Sequence, residues 1–591
     1  MKKNITMNFR YMILAVILLA LTACEDFLTR RPKDELSPDT YFRTETECQL
    51  YTNNFYTILP AATDFYQEDD DYIIPNSLST KVIGNRVVPT TSGTWNWNML
   101  RQINFFLSRS HQCEDDAVRE KYEALAKFFR AYFYFEKVKR YGDVAWVDEP
   151  IDANDKTLYR GRDPRALVME HVLEDIDFAI ENLPSGKDVF RVTKWTALAL
   201  KSRIFLFEGT FRKYHGLQGW EDCLKESAAA SLKFINESGY GIYKSGTTPY
   251  QSLFTLADSD RSEVILTRAY KQSISLVHDA NGAFTSTTSS RNGLAKDVVD
   301  MYLMSDGSRF TDKPRYNAMD FYAETQDRDP RLAQTIRTPG YTRMGDTELL
   351  APNMAAVTTG YQPIKYVCEK KYDSYQTSEN DMPVFRTAEV YLNYAEAKAE
   401  LNEQLTQGDL DISVNKIRAR VSMPPINMAQ ANADPDPYLL DKTTGYPNVS
   451  KCANTGVILE IRRERTVELI LEGFRYWDLM RWKEGKRFER PFYGMRLDGV
   501  GEYDLDRNGT VDFVVYEGDA PATVQGVVYK SLSELNLSSG TEGNIVLHDD
   551  IIRSFDESKD YLYPIPTEDI VLTQGVVKQN PGWDEMDGLD F

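Results

Sequence analysis

Apolar side chains recur at every third or fourth position along several long stretches of the chain, and this spacing is typical of amphipathic α-helices. Glycine or proline stands at several of the stretch ends, where it terminates a helix. Helix-turn-helix pairs with alanine and aromatic residues at i, i+4 spacing are typical of tetratricopeptide repeats, although the spacing here is too irregular to define a repeat. The stretches that predict long helices are residues 117–141, 165–183, 192–208, 221–237 and 386–403.

Shorter segments between these helices have weaker patterns. Residues 262–270 (SEVILTRAY) predict a strand, and residues 281–293, rich in Ser, Thr, Gly and Asn, predict a loop. Residues 484–560 are polar, glycine-rich and acidic, which predicts a long excursion on the surface. Helical spacing also occurs in residues 48–59, 95–107 and 294–304.

The stretch from Ile458 to Trp482 combines a broad apolar face with many charges, ILEIRRERTVELILEGFRYWDLMRW. Gly473 interrupts the helical spacing, so the pattern predicts two helices joined by a tight turn at a residue without a side chain. Glutamates four residues apart repel each other unless an arginine lies between them. Such pairs are Glu460 with Glu464 and Glu468 with Glu472.

Two interpretations of these charges remain open. So many fixed charges among aromatic residues favour a half-buried ion network between packed helices. The alternative is a solvated helix face. Neither interpretation makes the charges catalytic.

Composition narrows the class of protein. The chain has 591 residues, 42% apolar content, a formal charge of -20 and a pI near 4.9. An acidic chain without a clustered basic face is a poor candidate for binding nucleic acid. The sequence contains no HExxH, GxSxG, P-loop or GxGxxG motif, and five histidines make a metal-rich hydrolase less favoured. We therefore expect a protein that is not an enzyme.

The N-terminus has the pattern of a lipoprotein signal peptide. Lys2, Lys3 and Arg10 precede an apolar run over residues 11–23, which is too short to span a bilayer. The run ends in Leu-Thr-Ala before Cys24, which resembles a lipobox whose cysteine becomes the acylated first residue of the mature chain. The alternative is a chance cysteine after an ordinary signal peptide.

Several motifs in the chain closely resemble the SusD/RagB family of surface nutrient-binding lipoproteins. The strongest is IRRERTVELILEGFRYWDLMRW at residues 461–482. FFRAYFYFEKVKRYGDV at residues 128–144 resembles the family's long helix and following turn, with Ala145 where the family usually has proline. Further motifs occur in the family's order, namely RVTKWTALALKSRIFLFEGT, RTAEVYLNYAEAKAEL, VNKIRARV, YLYPIPTEDI and QNPGW.

The resemblance implies a mainly α fold, in which tetratricopeptide-like helical pairs form a SusD-like α-α superhelix with long loops and a few short strands. It implies a signal peptide over residues 1–23, a SusD-like N-terminal part over 24–345 and a SusD/RagB C-terminal part over 346–591. Glu25 and Asp26 resemble the surface-export signal of such lipoproteins, which implies lipid anchoring on the outer face of the cell outer membrane. The implied partner is a TonB-dependent, SusC-like transporter.

The expected ligand is a glycan or oligosaccharide nutrient. Sugar rings stack their apolar faces on aromatic planes, and their hydroxyls need carboxylate, amide or guanidinium partners, so aromatic residues on loops are the best candidates. Trp97 begins a helical pattern and has packing as its main alternative, whereas Trp95 lies outside that pattern. The candidates are Asp70, Tyr72, Arg86, Trp95, Trp97 and Asn98, together with Phe284, Tyr316 and Tyr322, which the resemblance adds.

Residues 504–512 match the first nine positions of a DxDxNG calcium loop. Oxygen ligands at positions 1, 3, 5 and 9, a carbonyl at position 7 and glycine at position 6 suit a hard cation. Position 12 is Val515 rather than the glutamate of the calcium-loop pattern. Glu517 would take the place of that glutamate only if the loop were longer than twelve residues. The alternative is an Asx-rich surface turn. The candidate ligands of a structural calcium ion are Asp504, Asp506, Asn508, Thr510 and Asp512.

The sequence therefore predicts a surface lipoprotein that binds a glycan and delivers it to its transporter. Two other classes of protein stay open. A helical-repeat scaffold would hold partner proteins without binding a sugar, and a glycoside hydrolase would release reducing ends from polysaccharide.

Overall fold

A computed structural model describes residues 41–151, 155, 159–401 and 405–583 of the chain. The predicted signal peptide and Cys24, the predicted lipidation site, lie outside these residues. Within the described ranges, no helix combines the length and the apolar character needed to cross a bilayer.

Helices dominate the described chain, and the long ones are those that the apolar spacing predicts. The N-terminal helices are α1 (Glu45–Thr52), α2 (Thr63–Tyr66), α3 (Thr80–Ile83), α4 (Asn98–Arg109), α5 (Asp116–Tyr141), α6 (Arg165–Asn182), α7 (Lys194–Tyr214) and α8 (Trp220–Glu237). The middle helices are α9 (Pro249–Thr255), α10 (Ala280–Thr285), α11 (Lys296–Met301) and α12 (Phe321–Thr325). The C-terminal helices are α13 (Thr387–Glu400), α14 (Gln407–Asp411), α15 (Val414–Arg418), α16 (Met428–Ala433), α17 (Pro437–Leu440), α18 (Thr455–Leu469), α19 (Arg475–Arg481) and α20 (Thr567–Leu572).

The long helices pack as consecutive pairs. α5 packs on α6 and α7 on α8, and α8 then packs on α13, which in turn packs on α18. The α7–α8 pair approaches closely at Gly209, where a Cβ atom would lie 2.7 Å from the Leu224 side chain. This arrangement is the mainly α, tetratricopeptide-like superhelix that the resemblance implies.

Short strands form four small sheets. Strand β1 (Ile73–Ile74) pairs with β3 (Gly293–Leu294), and β2 (Val264–Arg268) pairs with β4 (Met382–Arg386), both antiparallel. The remaining strands are β5 (Phe492–Leu497), β6 (Gly501–Tyr503), β7 (Phe513–Tyr516), β8 (Val528–Ser531) and β9 (Gly543–Leu547). β5 pairs with β9, and β6, β7 and β8 form a three-stranded sheet in that order.

Two local predictions are wrong, and a third omits strands that the structure contains. The excursion at 484–560 carries five strands, because alternating residues such as Phe513 and Val515 bury one face against the core. The expected loop at 281–293 contains α10, whose Phe284 is fully buried. The helix expected over 48–59 ends at Thr52 and continues as a 3₁₀ helix.

The charges of the 458–482 stretch form a buried ion network, as the first interpretation expects. Arg418 Nε lies 2.8 Å from Glu464 and its Nη2 3.4 Å from Glu460. Arg386 lies 2.7 Å from Glu468 and 2.6 Å from Glu472, so each like-charged pair shares an arginine. These arginines come from β4 and α15, outside the stretch itself.

The predicted turn between the two helices is confirmed. Gly473 has a φ of 79°, in the left-handed region that glycine adopts without a Cβ penalty, and it lies between α18 and α19. The largest hydrophobic cluster extends from Phe42 to Val577 and so draws on both predicted parts of the chain. The boundary at residues 345 and 346 stays a prediction.

Candidate functional site

A groove with a volume of about 630 Å³ lies between α5, α7 and α19. A second cavity of about 230 Å³ lies beside it and shares four lining residues with it. These shared residues are Ile58, Tyr132, Glu136 and Arg140. We call the two cavities together the groove.

Aromatic side chains with partly exposed surface line the groove. Trp477 and Tyr563 are half-buried, and their ring centroids lie 6.2 Å apart. Lys139 Nζ lies 4.4 Å from the Trp477 ring centroid and the Arg140 guanidinium carbon 5.2 Å from it. The groove thus joins aromatic planes to charged hydrogen-bond donors, the combination that a sugar ring requires.

Glu136 is the charged centre of the wall that the two cavities share. Lys139 Nζ lies 2.5 Å from its carboxylate, and Arg140 donates to it from one turn further along α5. Burial raises the pKa of Glu136, but the charges of Lys139 and Arg140 outweigh burial and lower this pKa to about 2. Glu136 is therefore ionised at neutral pH.

Lys137 ties the tryptophan-bearing loop to α5. Its Nζ donates to the Thr94 carbonyl at 2.6 Å and to the Asn96 carbonyl at 2.7 Å, and it lies 5.2 Å from the Trp97 ring. Burial and the nearby Arg140 lower the pKa of Lys137 to about 7. The lysine, which lines the smaller cavity, thus holds the loop that carries Trp97 against α5.

Four predicted ligand residues lie in one neighbourhood beside the groove. Trp97 packs on Trp95 at 5.3 Å, and Trp95 packs on Tyr141 at 4.6 Å. Arg86 stacks on the groove residue Tyr563 at 4.8 Å and pairs with Asp560.

The exposure of these residues differs. Trp97 is half-buried and Asn98 is exposed at the start of α4. Trp95 is 7% exposed and therefore supports Trp97 rather than offering its own surface.

Three predicted residues lie in the interior, and the expectation that they form a surface loop site is corrected. Tyr72 is 1% exposed and stacks on Arg475 at 3.7 Å. Asp70 accepts hydrogen bonds from the Tyr72 and Ile73 amides at 2.7 Å, which shapes the turn before β1. Phe284 is completely buried within α10. Because all three side chains are buried, they present no surface to a sugar.

Tyr316 and Tyr322 are half-buried and lie apart from the groove. Tyr316 packs edge-on against Tyr438 at 6.5 Å. The Arg507 guanidinium stacks on Tyr322 at 4.2 Å and pairs with Asp320 at 2.9 Å. Arg507 belongs to the predicted calcium loop, so these contacts dock that loop against α12.

The predicted calcium loop connects β6 to β7 and brings its acidic side chains together. Carboxylate oxygens of Asp504, Asp506 and Asp512 all lie within 4.8 Å of one another. The two Asp504 oxygens accept the Asn508 and Gly509 amides at 3.0 and 2.8 Å, which closes the turn. Burial and the charges of its two acidic neighbours raise the pKa of Asp512, so a cation at this place would relieve repulsion.

The carboxylates and the Asn508 side chain are of the hard-oxygen type that calcium prefers. Thr510 stands at position 7 of the loop, where the ligand is the backbone carbonyl oxygen. Val515 is buried within β7 and paired with Gly501, so position 12 supplies no oxygen. Glu517 is exposed beyond β7.

Sequence reasoning did not identify the groove residues Trp477, Tyr563, Arg140 and Arg268. Trp477 and Arg140 stand within motifs interpreted as helix packing, and Tyr563 within the extended YLYPI segment. For Arg140 and Trp477 the sequence signal is the dense mixture of aromatic and basic residues in α5 and α19.

The chain matches two family models. The model described as the SusD family matches residues 262–583, and the one described as "Starch-binding associating with outer membrane" matches residues 40–206. A SusD-like protein of Bacteroides ovatus is 22% identical over 96% of this chain and 97% of its own length.

Solved structures share the fold. A SusD-like protein from Bacteroides fragilis has a TM-score of 0.67 and 21% identity, covering 94% of this chain and all of its own. A SusD-like carbohydrate binding protein from the same species has a TM-score of 0.66 and 21% identity, covering 91% of this chain and 99% of its own. Because the SusD model matches more than half of the residues, this chain belongs to the SusD family.

Proposed function

We propose that this protein captures an oligosaccharide in the groove and delivers it to a TonB-dependent, SusC-like transporter. The observation that carries the proposal is the groove itself, where the half-buried Trp477 and Tyr563 lie among charged donors. A carbohydrate-binding protein with the same fold supports a saccharide as the class of ligand.

The groove suits a saccharide in two physical respects. The planes of Trp477 and Tyr563 offer apolar contact to the axial C–H groups of a ring, and the guanidinium and ammonium groups beside them offer hydrogen bonds to hydroxyls. Trp97, Asn98 and Arg86 extend this surface beyond the smaller cavity. Tyr316 and Tyr322 would form a second contact region only for a long chain.

Anchoring at the outer membrane is part of the proposal. Lipid attached to Cys24 would hold the protein at the outer face of that membrane, and the family model described as associating with the outer membrane supports this place. Cys24→Ser should release the protein from the membrane fraction. Co-purification of a transporter with the wild-type lipoprotein would test the partner.

We propose binding without catalysis. Three groove carboxylates are held in ion pairs, and Glu68, whose pKa burial raises, accepts the Gly473 amide and lies beside Asp70. Glu136 is paired with Lys139, Asp69 with Lys81 at 3.5 Å, and Asp478 with Arg465 at 2.7 Å. A glycosidase needs one carboxylic acid free to protonate the leaving group. Release of reducing ends from a bound polysaccharide would contradict this part of the proposal.

Calorimetry of the soluble protein, starting after Cys24, against plant, algal, host and microbial glycans tests the binding function. Trp477→Ala should weaken affinity for a bound glycan about tenfold or more, because stacking on one aromatic residue contributes on the order of 1–2 kcal/mol. Trp97→Ala should have a smaller effect. Trp220→Ala, at the start of α8 and outside the groove lining, is the matched control.

Two results would redirect the proposal. Equal affinity in Trp477→Ala and Trp220→Ala would remove the groove as the binding site. Failure to bind any glycan, with the transporter still co-purifying, would favour the interaction scaffold.

We also propose that the loop from Asp504 to Asp512 binds a structural calcium ion. The convergence of three carboxylates within 4.8 Å and the match to the first nine loop positions support it. The ion would stabilise the β6–β7 connection and, through Arg507, its contact with α12.

A further inference from the structure

Basic side chains cluster along one side of the groove, where Arg140 lines both cavities, Lys137 the smaller one and Lys139 the larger one. Lys137, Lys139 and Arg140 stand on the last turns of α5, and Glu136 is the carboxylate that lies among them. Arg268 of β2 lines the larger cavity, where its guanidinium donates to the carbonyls of residues 59 and 60 at 3.0 and 3.2 Å. We call these four cations the cationic wall.

No carboxylate of the described residues forms an ion pair with Arg268 or Lys137. Lys139 and Arg140 share Glu136 as their carboxylate partner. The wall therefore carries four basic side chains, and Glu136 is the one carboxylate that forms ion pairs with them, in a chain whose formal charge is -20.

The other cations of the groove are neutralised. Arg203 pairs with Glu389 at 2.6 Å, and Arg481 pairs with Glu396 at 2.5 Å. The unbalanced positive charge is thus confined to the wall. Asp64 and Glu68 also line the larger cavity. Asp64 accepts the Ala61 amide at 2.7 Å and keeps its charge. Burial, in contrast, raises the pKa of Glu68 well above its usual range.

Titration of the wall lysines is consistent with this excess. Burial and the charge of Arg140 lower the pKa of Lys137 to about 7, and burial is also the main cause that lowers the pKa of Lys139 to about 8, although Glu136 opposes the change. A second anion beside these lysines would favour their charged forms.

We propose that the cationic wall receives an acidic group of the saccharide, either the carboxylate of a uronic acid or a sulfate ester, while the sugar ring stacks on Trp477. This inference rests on the proposed function and names the class of glycan. Arginine binds carboxylate and sulfate oxygens through its planar fork of donors, and the partly buried wall weakens the competing hydration of these ions.

Matched polysaccharides test the proposal. Polygalacturonate is compared with its fully methyl-esterified form, and dextran sulfate with dextran, so that each pair shares a backbone and differs in charge. We expect at least tenfold tighter binding of the acidic member in one of the pairs. Tighter binding of polygalacturonate than of its methyl ester would identify a carboxylate as the bound group. Tighter binding of dextran sulfate than of dextran would identify a sulfate ester.

Charge variants locate the binding. Arg268→Gln should weaken binding of the acidic polysaccharide at least fivefold and leave any neutral glycan unaffected. Arg261→Gln is the matched control, because Arg261 is exposed at the turn before β2 and does not line the groove. A loss of the same size in both variants would indicate nonspecific attraction and overturn the proposal.

Proton uptake provides an independent readout. Calorimetry at pH 8 in buffers of different ionisation enthalpy should show net uptake of protons when the acidic polysaccharide binds, because its charge raises the pKa values of Lys137 and Lys139. Binding without proton uptake would place the acidic group away from the wall.

The failure of this inference is distinguishable from failure of the proposed function. A neutral glycan could bind in a manner that depends on Trp477, while acidic glycans bind no more tightly. That result would overturn the role proposed for the cationic wall and retain the groove as a saccharide site. Absence of binding to every acidic and neutral glycan would overturn both.

Discussion

Arg386 is the residue on which the buried ion network depends most. It is 2% exposed and lies 2.9 Å from Glu263, 2.7 Å from Glu468 and 2.6 Å from Glu472. Glu468 has its pKa lowered to about 2, because the charges of Arg420 and Arg386 outweigh the burial that raises it. Removing one partner from a buried network leaves uncompensated charge, which is costly.

We predict that Arg386→Met lowers the free energy of unfolding by about 3–5 kcal/mol. Chemical denaturation at neutral pH measures the change. Arg261→Met at the exposed turn before β2 is the control and should change stability by about 0.5 kcal/mol or less. An equal loss in the two variants would show that the glutamates do not need this arginine.

The glutamate pairs show how far sequence reasoning reaches at the scale of single residues. Like charges one turn apart require an arginine between them, and this rule holds for Glu460 with Glu464 and for Glu468 with Glu472. The arginines themselves could not be chosen in advance. Arg386 and Arg418 approach from other elements, and local spacing contains no information on such contacts.

Gly209 decides how closely two helices of the scaffold pack. An added Cβ atom would lie 2.7 Å from the Leu224 side chain and 3.0 Å from the Leu224 amide nitrogen. Alanine favours a helix interior over glycine by about 1 kcal/mol, whereas forcing α7 from α8 costs about 1–3 kcal/mol. The backbone contact cannot rotate away, so the packing cost exceeds the propensity gain.

We therefore predict that Gly209→Ala lowers the melting temperature. Gly408→Ala in α14 is the control, because the nearest atom to its added Cβ is Thr406 Oγ1 at 3.6 Å. The control should be neutral or slightly stabilising. A stabilised Gly209→Ala would mean that the α7–α8 interface yields readily.

The calcium loop is the element whose stability should depend on an ion. Calcium added to decalcified protein should raise the melting temperature, since a ligand at a hundredfold its Kd stabilises the folded state by about 2.7 kcal/mol. Asp506→Asn should abolish most of the shift. Asp519→Asn, at an exposed position after β7, should preserve it. A shift of equal size in both variants, or none in the wild type, would contradict a site at this loop.

The long helices were predictable because each has a long apolar face. The strands of residues 484–560 were not predictable. These strands have three to six residues, and β5 pairs with β9 through an irregular register. Pairing partners far apart in sequence stabilise such short strands, so their local pattern is weak. Tertiary contacts also convert part of residues 281–293 into α10.

At the scale of the whole molecule, the mainly α fold was predictable from apolar spacing and ordered motifs, but the groove was not. Its lining comes from α5, α7, β2 and α19, and from Tyr563 near the C-terminus. Trp97 lies beside the groove residues of α5, and its role in binding stays a prediction. Assembly of distant segments creates the site.

Acid should destabilise the fold through two histidines, the buried His278 and the half-buried His215. His215 Nε2 donates to the Met480 carbonyl at 2.9 Å, and His278 Nε2 donates to the Asn380 carbonyl at 2.9 Å. Burial lowers the pKa of each from 6.5 to about 4. His278 Nδ1 accepts the Ala280 amide at 3.2 Å, so a proton there would break this bond.

The sign of the pH effect follows from these pKa values. Between about pH 6.5 and 4 the unfolded chain binds more protons at these histidines than the folded chain does, so the free energy of unfolding falls as the pH falls. Each histidine contributes about 3 kcal/mol over this range. Asp297 and Glu484, whose pKa values burial raises to about 6, oppose the effect over part of it.

Comparing variants isolates the histidine contribution from that of the carboxylates. We predict that His278→Gln lowers stability at pH 7 but flattens its decline toward pH 4, measured by denaturation at several pH values. His111→Gln at an exposed position should leave the slope of the wild type unchanged. If the stability of His278→Gln declined toward pH 4 as steeply as that of the wild type, acid would unfold the protein through other groups. Protonation of the His278 imidazole would then not account for the decline of the wild type.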